Sequence, residues 1–325
     1  MKGGIAARLI SGISLLLAVV VLNFFLIQLA PGDAVDVLVA DGGATEEAVK
    51  RIREDYGLDQ PIGTQLFTYV LNILTGDLGY SFHFNKQVTE VIFEALPVTI
   101  LLGLAALFLS SILGVVLGVA AALRPTHLTS HVVTLISLIG YATPTFWFGM
   151  MMLIAFASWL PLFPAYGLTS VPPPKGFMPY ALDAAYHLVL PAVTLAGLFL
   201  ASISRLSRAS MLEVLNADYI RTAEAMGLTR ASVIYKHALR NAAIPIVTMI
   251  GLQLGQLLSG AVLVETVFSL PGIGPLLFES VLRRDYPVML GILLMSAGMV
   301  IFANILTDLT YRLIDPRIRG RSHAR

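Results

Sequence analysis

Residues Arg205–Pro245 read RLSRASMLEVLNADYIRTAEAMGLTRASVIYKHALRNAAIP and form a polar stretch with helical spacing between two strongly apolar runs. Within this stretch, Tyr219-Ile-Arg-Thr-Ala-Glu-Ala-Met-Gly227 is typical of a helix that ends at a glycine. Thr229 can cap a second helix that continues through Val233 and His237. The sequence therefore predicts two helices that meet at a sharp corner. Four apolar residues at this corner form a small apolar knob to which another protein can bind: Ala223, Ala225, Met226 and Leu228.

The composition places the chain in a lipid bilayer. Hydrophobic residues make up 57% of the 325 residues and charged residues only 13%, and the mean hydropathy is +0.81. A soluble domain of this length is far less apolar. The formal net charge of +1 argues against a nucleic-acid partner. Because the chain has no cysteine, it has no disulfides, iron–sulfur clusters or thiolate metal sites.

Several apolar runs have the length of about 20 residues that a helix needs to cross about 30 Å of hydrocarbon. They are Leu9–Ala30, Val98–Leu123, Val132–Leu160, Leu188–Leu206, Ile244–Val267 and Val288–Tyr311. The chain is therefore predicted to be an all-α integral membrane protein with about six transmembrane helices. The first run resembles a signal peptide in its charged start, Lys2 and Arg8, but its apolar part is too long and no Ala-x-Ala site precedes Pro31. We expect it to be a retained span.

The basic residues predict the orientation of the chain, because they concentrate on the cytoplasmic side of bacterial membrane proteins. They cluster before the first span, in residues 205–245, and after the last span. Both termini and the 205–245 loop are therefore predicted to be cytoplasmic. The acidic segment 31–97 is predicted to form an external cap with short helices at Thr45–Tyr56 and Gln65–Ile73. Another short helix is predicted at Pro275–Leu282, and the whole chain, 1–325, is predicted to be a single transmembrane domain.

Further motifs stand in order along the chain: Ala30-Pro-Gly-Asp33, Tyr56-Gly-Leu-Asp-Gln-Pro61, Gly76-Asp-Leu-Gly79, Arg240-Asn-Ala, Pro271-Gly-Ile-Gly274 and Asp315-Pro-Arg-Ile-Arg319. Together with the Tyr-Ile-Arg-Thr-Ala-x-Ala-x-Gly-Leu corner, they resemble the permease subunits of ABC importers, specifically the dipeptide, oligopeptide and nickel branch. Arg221 and Thr222 depart from the first two positions of the broader EAA motif, and Arg240 stands in place of its proline. The peptide and nickel branch tolerates these departures.

The resemblance implies a type I ABC importer permease fold and a set of partners. These are a homologous second permease, two ATP-binding subunits and an external substrate-binding protein, in a bacterial inner or plasma membrane. In related importers the loop forms a coupling helix that seats in a groove of the ATP-binding subunit. The matching residues in this chain are Arg221, Thr222, Ala223, Glu224, Ala225, Met226, Gly227, Leu228 and Thr229.

The sequence contains no motif with which the chain could hydrolyse ATP itself. It has no Gly-x-x-x-x-Gly-Lys-[Ser/Thr] phosphate loop and no Gly-Lys dipeptide. No His-Glu-x-x-His motif, Gly-x-Ser-x-Gly elbow or Cys/His metal spacing is present either. We therefore expect no enzymatic activity, no cofactor and no metal in this chain, with ATP and Mg²⁺ bound by the partner subunits.

Polar residues within the fifth span are candidates for the pore lining. Gly251, Gly255 and Ser259 repeat at four-residue spacing and permit close helix packing. At about 100° per residue, Gln253, Gln256 and Gly260 project onto nearly the opposite face. Since amides facing lipid are costly, they are expected to face a wet lumen, with interhelical hydrogen bonding as the alternative. Weaker candidates of the same kind are Asn23, Gln28 and Asn304.

A second group of residues is assigned to structure or gating. Glu265 belongs to a Glu-x-Val-Phe-x-x-Pro-Gly pattern, and Asp308 and Arg312 have the i, i+4 spacing of a helical ion pair. The Pro144-Thr-Phe-Trp-Phe148 run is either a gate, through Phe146 and Trp147, or a proline kink packed with aromatics. The glycine turn before the short outer helix contributes Pro271, Gly272 and Gly274.

The sequence therefore predicts a permease subunit that forms half of the pore for ATP-driven uptake of di- and oligopeptides. Nickel or another small solute is the alternative substrate. A secondary transporter of similar composition would need coupling-ion residues inside the spans, and apart from Glu265 and Asp308 there are few. A scaffolding membrane subunit would need no polar lumen face.

Overall fold

The computed structural model describes residues 5–29 and 60–314, with the backbone alone at 5–9, 27, 29, 257–260 and 308–314. The predicted helix Thr45–Tyr56 lies outside these residues. In chain order the elements are α1 (Ile5–Leu29), α2 (Ile62–Leu74), β1 (Tyr80–Ser81), β2 (Lys86–Gln87), α3 (Val88–Leu123), α4 (Leu128–Ala142), α5 (Thr145–Leu153), a π-helical segment (Ile154–Trp159), α6 (Phe177–Leu215), α7 (Asp218–Ala225), a π-helical segment (Ser232–Ala238), α8 (Leu239–Leu254), α9 (Leu257–Val267), α10 (Ile273–Arg283) and α11 (Tyr286–Ile314).

The apolar runs are helical, as the all-α class predicts. Within the described ranges, three helices are long and apolar enough to cross a bilayer: α3, α6 and the part of α11 from Tyr286 to Thr307. The pair formed by α4 and α5 with its π-helical extension meets the same criterion together but is bent by 105°. The short helices predicted at Gln65–Ile73 and Pro275–Leu282 are confirmed as α2 and α10.

Two predicted spans are interrupted. The Val132–Leu160 run breaks at Thr143-Pro144, where Thr143 has the extended backbone that a residue before proline prefers. The Ile244–Val267 run breaks at Gly255-Gln256, between α8 and α9. A hydropathy window averages over such breaks, because both sides remain apolar.

The chain divides into two compact units where the sequence predicted one domain. The first comprises residues 1–97 and 272–301 and has a core of Val88, Ile92, Ile273, Val288 and Ile292. The start of α3 packs closely against α11, since a Cβ added to Gly291 would lie 2.6 Å from Cγ1 of Val88. Because α3 already begins at Val88, the predicted external segment 31–97 ends inside this helix.

A short hairpin in the first unit is fixed to the start of α11. Tyr80 pairs with Gln87 and Ser81 with Lys86 in antiparallel register. The hydroxyl of Ser81 donates a hydrogen bond to the carboxylate of Asp285, and the same carboxylate accepts one from the backbone N–H of Val288 at 3.3 Å. Asp285 therefore caps α11 and anchors the hairpin.

The second unit comprises residues 98–271 and 302–325, and α6 runs through its core. Leu195, Phe199, Ile203 and Met211 of α6 are all buried there. The backbone of α3 approaches α6 at Gly118, where an added Cβ would lie 2.5 Å from the Cβ of Ser207. Small residues at such a contact allow two membrane helices to pack closely. This packing is needed because lipid supplies no hydrophobic force that drives the helices together.

Candidate functional site

The corner after α7 has the hydrogen bonds of a Schellman motif. The N–H of Leu228 donates to the carbonyl of Ala223 at 3.3 Å, and the N–H of Gly227 donates to the carbonyl of Glu224 at 2.9 Å. Gly227 has a φ of +77°, the left-handed conformation that glycine adopts without a steric penalty. The predicted end of the first helix at Gly227 is therefore confirmed.

The second helix of the corner begins after Thr229. The Thr229 hydroxyl accepts a hydrogen bond from the N–H of Ser232 at 3.4 Å, and its carbonyl accepts one from the N–H of Val233 at 3.0 Å. Val233 and Ile234 are buried and join the core of the second unit. The predicted capping by Thr229 is confirmed, and the corner is attached to the core on both sides.

The apolar knob at the corner is smaller than predicted. Met226 is 70% exposed, and Ala225 and Leu228 are exposed beside it. Ala223, by contrast, is buried, because α7 turns this side chain and Ile220 toward the core. The knob therefore consists of Ala225, Met226 and Leu228.

A polar rim surrounds this knob. Arg221, Thr222, Glu224, Gly227 and Thr229 are exposed. The guanidinium of Arg221 lies 3.7 Å from the carboxylate of Asp218, and both side chains are exposed, so this ion pair contributes little to stability. The arrangement is an apolar contact surrounded by solvated polar groups, as at the centre of many protein interfaces.

The structure places Gln253 between helices, and so contradicts its predicted lumen position. It is only 4% exposed, and its Nε2 donates to the carbonyl of Phe199 in α6 at 3.5 Å. This corresponds to the interhelical alternative. Its Oε1 has no partner among the described residues.

The turn at Gly255-Gln256 also changes the predicted face of the residues beyond it, because helical spacing does not continue through a break. Gln256 itself is exposed at this break. Gly260 lies in the part of α9 for which only the backbone is described.

The opposite face of α8 packs closely, as predicted from its small residues. A Cβ on Gly251 would lie 2.5 Å from Cγ2 of Thr307 in α11, and the Thr307 hydroxyl donates to the Gly251 carbonyl at 2.8 Å. Asn304 lies one turn away on α11 and is exposed, with its Oδ1 3.7 Å from the Cβ position of Gly255. Gln256 and Asn304 are therefore the exposed amides of the second unit that the sequence singled out.

The two candidates on α1 belong to the first unit. Asn23 is buried, and its Nδ2 donates to the carbonyl of Leu290 at 3.3 Å. Its predicted exposure to a lumen is therefore wrong, because the amide bridges α1 and α11. Gln28 is exposed and donates from Nε2 to Oε1 of Gln65 in α2 at 2.8 Å.

The chain bends by 105° at Pro144, but two of the aromatic residues that follow are exposed. Phe146 and Trp147 are 44% and 47% exposed, and Pro144 is exposed as well. The buried side of α5 is Gly149, where an added Cβ would lie 3.2 Å from Cγ2 of Thr194 and 3.3 Å from Cε2 of Phe268. The predicted kink at Pro144 is therefore confirmed, its packing with Phe146 and Trp147 is not, and these two residues remain gating candidates.

The remaining structural candidates lie in α9, at the start of α10 and at the end of α11. Glu265 is fully buried, and its backbone carbonyl accepts a hydrogen bond from Leu270 N–H at 2.9 Å. Gly272 and Gly274 are buried at the start of α10, and Pro271 is exposed. The side chains of Asp308 and Arg312 lie outside the described residues. Among the described residues, no cluster of three or more His, Asp or Glu side chains could hold a metal ion.

Two arginines of α6 contact α4 in a way that spacing alone did not reveal. Arg208 donates from Nε to the hydroxyl of Ser130 at 3.1 Å. The guanidinium carbon of Arg205 lies 5.0 Å from the centre of the Tyr141 ring, within cation–π range. Tyr141 was not a sequence candidate, since a single tyrosine inside the predicted span Val132–Leu160 carries no signal of its own.

Comparison with known proteins agrees with these features. Residues 114–320 match the family described as "Binding-protein-dependent transport system inner membrane component", and residues 1–103 match the corresponding N-terminal family. The chain is 41% identical to the di/tripeptide transport system permease protein DppB of Pseudomonas aeruginosa, over 97% of this chain and 98% of that protein. It is 39% identical to the dipeptide transport system permease protein DppB of Escherichia coli K12, over 94% and 95%.

Among solved structures, a chain of the MetNI methionine ABC transporter in an inward-facing form has a TM-score of 0.52. It is 19% identical and covers 70% of this chain and 96% of that chain. At this identity the similarity shows the fold alone, which is the type I importer permease fold. The relatives and the apolar helices together make this a multi-pass protein of the inner membrane. The chain therefore belongs to the family of binding-protein-dependent transport system inner membrane components, the permease subunits of ABC importers.

Proposed function

We propose that this chain forms half of the pore of an importer for di- and oligopeptides. The observation that carries the proposal is the 41% identity to a di/tripeptide permease over almost the whole of both chains. The binding-protein-dependent family implies ABC partners in general. We infer the specific set to be a homologous second permease, two ATP-binding subunits that hold ATP and Mg²⁺, and an external binding protein.

The exposed corner is the proposed contact with an ATP-binding subunit. Ala225, Met226 and Leu228 form a compact apolar contact, and the Schellman motif holds them in a fixed geometry. Val233 and Ile234 of the same segment pack in the core. A displacement of the corner is therefore transmitted to the helices of the second unit. Motion of the ATP-binding subunits is then converted into reorientation of the pore.

The proposed pore lining includes exposed amides and gating aromatics. Gln256 and Asn304 can replace hydrogen bonds that a peptide backbone loses when it leaves water. Neutral amides and these aromatic rings bind a peptide weakly, which permits its release. Gly260 stays a proposed lining residue, and Phe146 and Trp147 are the proposed gate.

We propose that both termini and the corner are cytoplasmic, and cysteine labelling tests this orientation. The chain has no native cysteine, so Lys175→Cys and Ala231→Cys each give one exposed site. A membrane-impermeant maleimide should label Lys175→Cys in intact cells. Ala231→Cys should be labelled only after the membrane is opened. The reverse pattern would refute the orientation.

Uptake by the reconstituted complex tests the transport function. Proteoliposomes that contain this chain with its co-encoded permease, ATP-binding subunits and binding protein should accumulate labelled tripeptide in an ATP-dependent manner. The same vesicles without ATP are the control. ATP-dependent uptake of nickel without uptake of peptide would contradict the peptide assignment, and stoichiometric ATP binding by this chain alone would contradict the division of labour.

A further inference from the structure

The contact between Arg205 and Tyr141 lies where α4 ends at its break with α5. Ser130 contacts Arg208, and the Cβ position of Gly140 lies 3.6 Å from the carbonyl of Gly197. Residue numbers therefore rise along α4 as they fall along α6, so the two helices are antiparallel. Both side chains of the Arg205–Tyr141 pair are exposed at the surface of this unit.

The two arginines point in different directions along α6. Their Cα atoms are about 4.5 Å apart along the helix axis, whereas Ser130 and Tyr141 are separated by about 16 Å along α4. Arg208 therefore reaches the beginning of α4 and Arg205 reaches its end. Helical side chains lean toward the N-terminus of their own helix, so in an antiparallel pair Arg205 and Tyr141 extend toward each other. The Arg205 guanidinium is consequently directed along α6 toward the middle of the predicted span.

This direction is opposite to that of a snorkelling arginine. An arginine at the cytoplasmic end of a span normally extends its charge toward the cytoplasm, and one directed into lipid is energetically costly. Within the described ranges, no carboxylate lies in ion-pair distance of Arg205. A polar surface is therefore required next to this guanidinium. Phe146 and Trp147 are exposed just after the same break.

We propose that Arg205, held under the ring of Tyr141, binds the C-terminal carboxylate of a peptide in transit. The inference rests on the proposed peptide import. A guanidinium stacked on a ring keeps its N–H edge free, and this edge matches a carboxylate with two parallel hydrogen bonds. Every peptide with a free C-terminus carries this group whatever its side chains. One cation therefore orients many substrates, and the exposed setting keeps the bond weak enough for release.

Direct binding separates this role from selection by the binding protein. A photoreactive dipeptide is offered, as free acid or as C-terminal amide, to the complete permease–ATPase complex in nanodiscs without the binding protein. The wild-type complex should crosslink the acid about tenfold more than the amide, since a charge-assisted hydrogen bond is lost with the amide. Arg205→Gln should crosslink both forms equally, and Arg205→Lys should keep part of the preference.

Two further variants control for charge and for the ring. Arg208→Gln removes a cation one turn away that is bound to Ser130, and it should keep the wild-type preference for the acid. Tyr141→Phe keeps the ring face and should also keep the preference, whereas Tyr141→Leu should lose most of it. A wild-type preference in Arg205→Gln would overturn the proposal. Dissociation of the second permease in Arg205→Gln would overturn it as well, because the arginine would then be a subunit contact.

Uptake distinguishes failure of this proposal from failure of the peptide assignment. Proteoliposomes with saturating binding protein should take up labelled dipeptide several-fold more slowly with Arg205→Gln than with the wild type. Normal peptide uptake by both refutes the carboxylate site and leaves the peptide importer intact. If the wild-type complex takes up no peptide, the proposed function itself is refuted.

Discussion

Gly227→Val is expected to remove most of the transport activity while leaving the chain inserted in the membrane. Gly227 has a φ of +77°, and a Cβ at this position meets no atom within 4 Å. The penalty is therefore conformational and not steric crowding by neighbours. An L-residue pays about 1–2 kcal/mol in the left-handed region, which lowers the ratio of native to non-native turn by a factor of about 5–30. Valine, which is β-branched, pays more than most residues.

Asparagine is the matched control at this position. It enters the left-handed region more easily than other non-glycine residues, so Gly227→Asn should retain most of the uptake. Uptake of labelled peptide and copurification of the ATP-binding subunits are measured for both variants, with chain level in the membrane as reference. Equal uptake by Gly227→Val and wild type would remove the coupling role from this corner.

A second pair of variants separates the turn from the knob. Met226 is mostly exposed in the isolated chain, so Met226→Asp should not affect insertion. At a docked surface the new carboxylate would lose water without gaining a partner, and the ATP-binding subunits should fail to copurify. Met226→Leu conserves volume and polarity and should leave copurification unchanged.

The corner was predictable because its signals are local. A glycine after a helical run fixes a Schellman turn, and a threonine two residues later provides a cap for the next helix, whatever surrounds them. The burial of Ala223 was not predictable in this way. It depends on which face of α7 meets the core. The spacing places Ile220 and Ala223 on one face of the helix, but it does not say whether that face packs inward or is exposed.

The breaks at Pro144 and Gly255-Gln256 had only weak sequence signals. Proline disfavours a helical conformation in the residue before it, so an interruption near Thr143 was foreseeable. Its angle of 105° was not, because the direction of α5 depends on how Gly149 packs against Thr194 and Phe268. Proline also lies inside α3, α6 and α8 without ending those helices.

The assignment of Gln253 and Asn23 to a pore was wrong for a physical reason. An amide that faces lipid is energetically costly, so a polar residue in a span is predicted to avoid lipid. This cost does not decide whether the amide lies between helices or faces a lumen. Gln253 and Asn23 satisfy this requirement by bonding to backbone carbonyls of neighbouring helices. A helical projection shows that such residues share a face, but not whether another helix or a lumen lies against it.

Gly118→Ala is expected to have the largest effect on folding among the glycine-to-alanine changes at the described glycines of the second unit. The added Cβ would lie 2.5 Å from the Cβ of Ser207, 2.6 Å from the carbonyl oxygen of Ser204 and 3.0 Å from the amide nitrogen of Arg208. Two of these atoms belong to the backbone, so no change of rotamer relieves the contact. Helices α3 and α6 must separate, and overpacking of this kind costs about 1–3 kcal/mol.

Gly140→Ala provides the opposite case in the same unit. An added Cβ would lie 3.6 Å from the carbonyl oxygen of Gly197, an ordinary van der Waals contact. A glycine inside a helix costs about 0.5–1 kcal/mol relative to alanine, so this change should be neutral or stabilising. Alanine also stabilises the helix relative to glycine at Gly118, but this stabilisation is smaller than the overpacking cost there. Thermal unfolding of the purified complex should therefore occur at a lower temperature for Gly118→Ala and at an equal or higher one for Gly140→Ala. Equal melting temperatures for the two variants would show that α3 and α6 do not pack as closely as the structure has them.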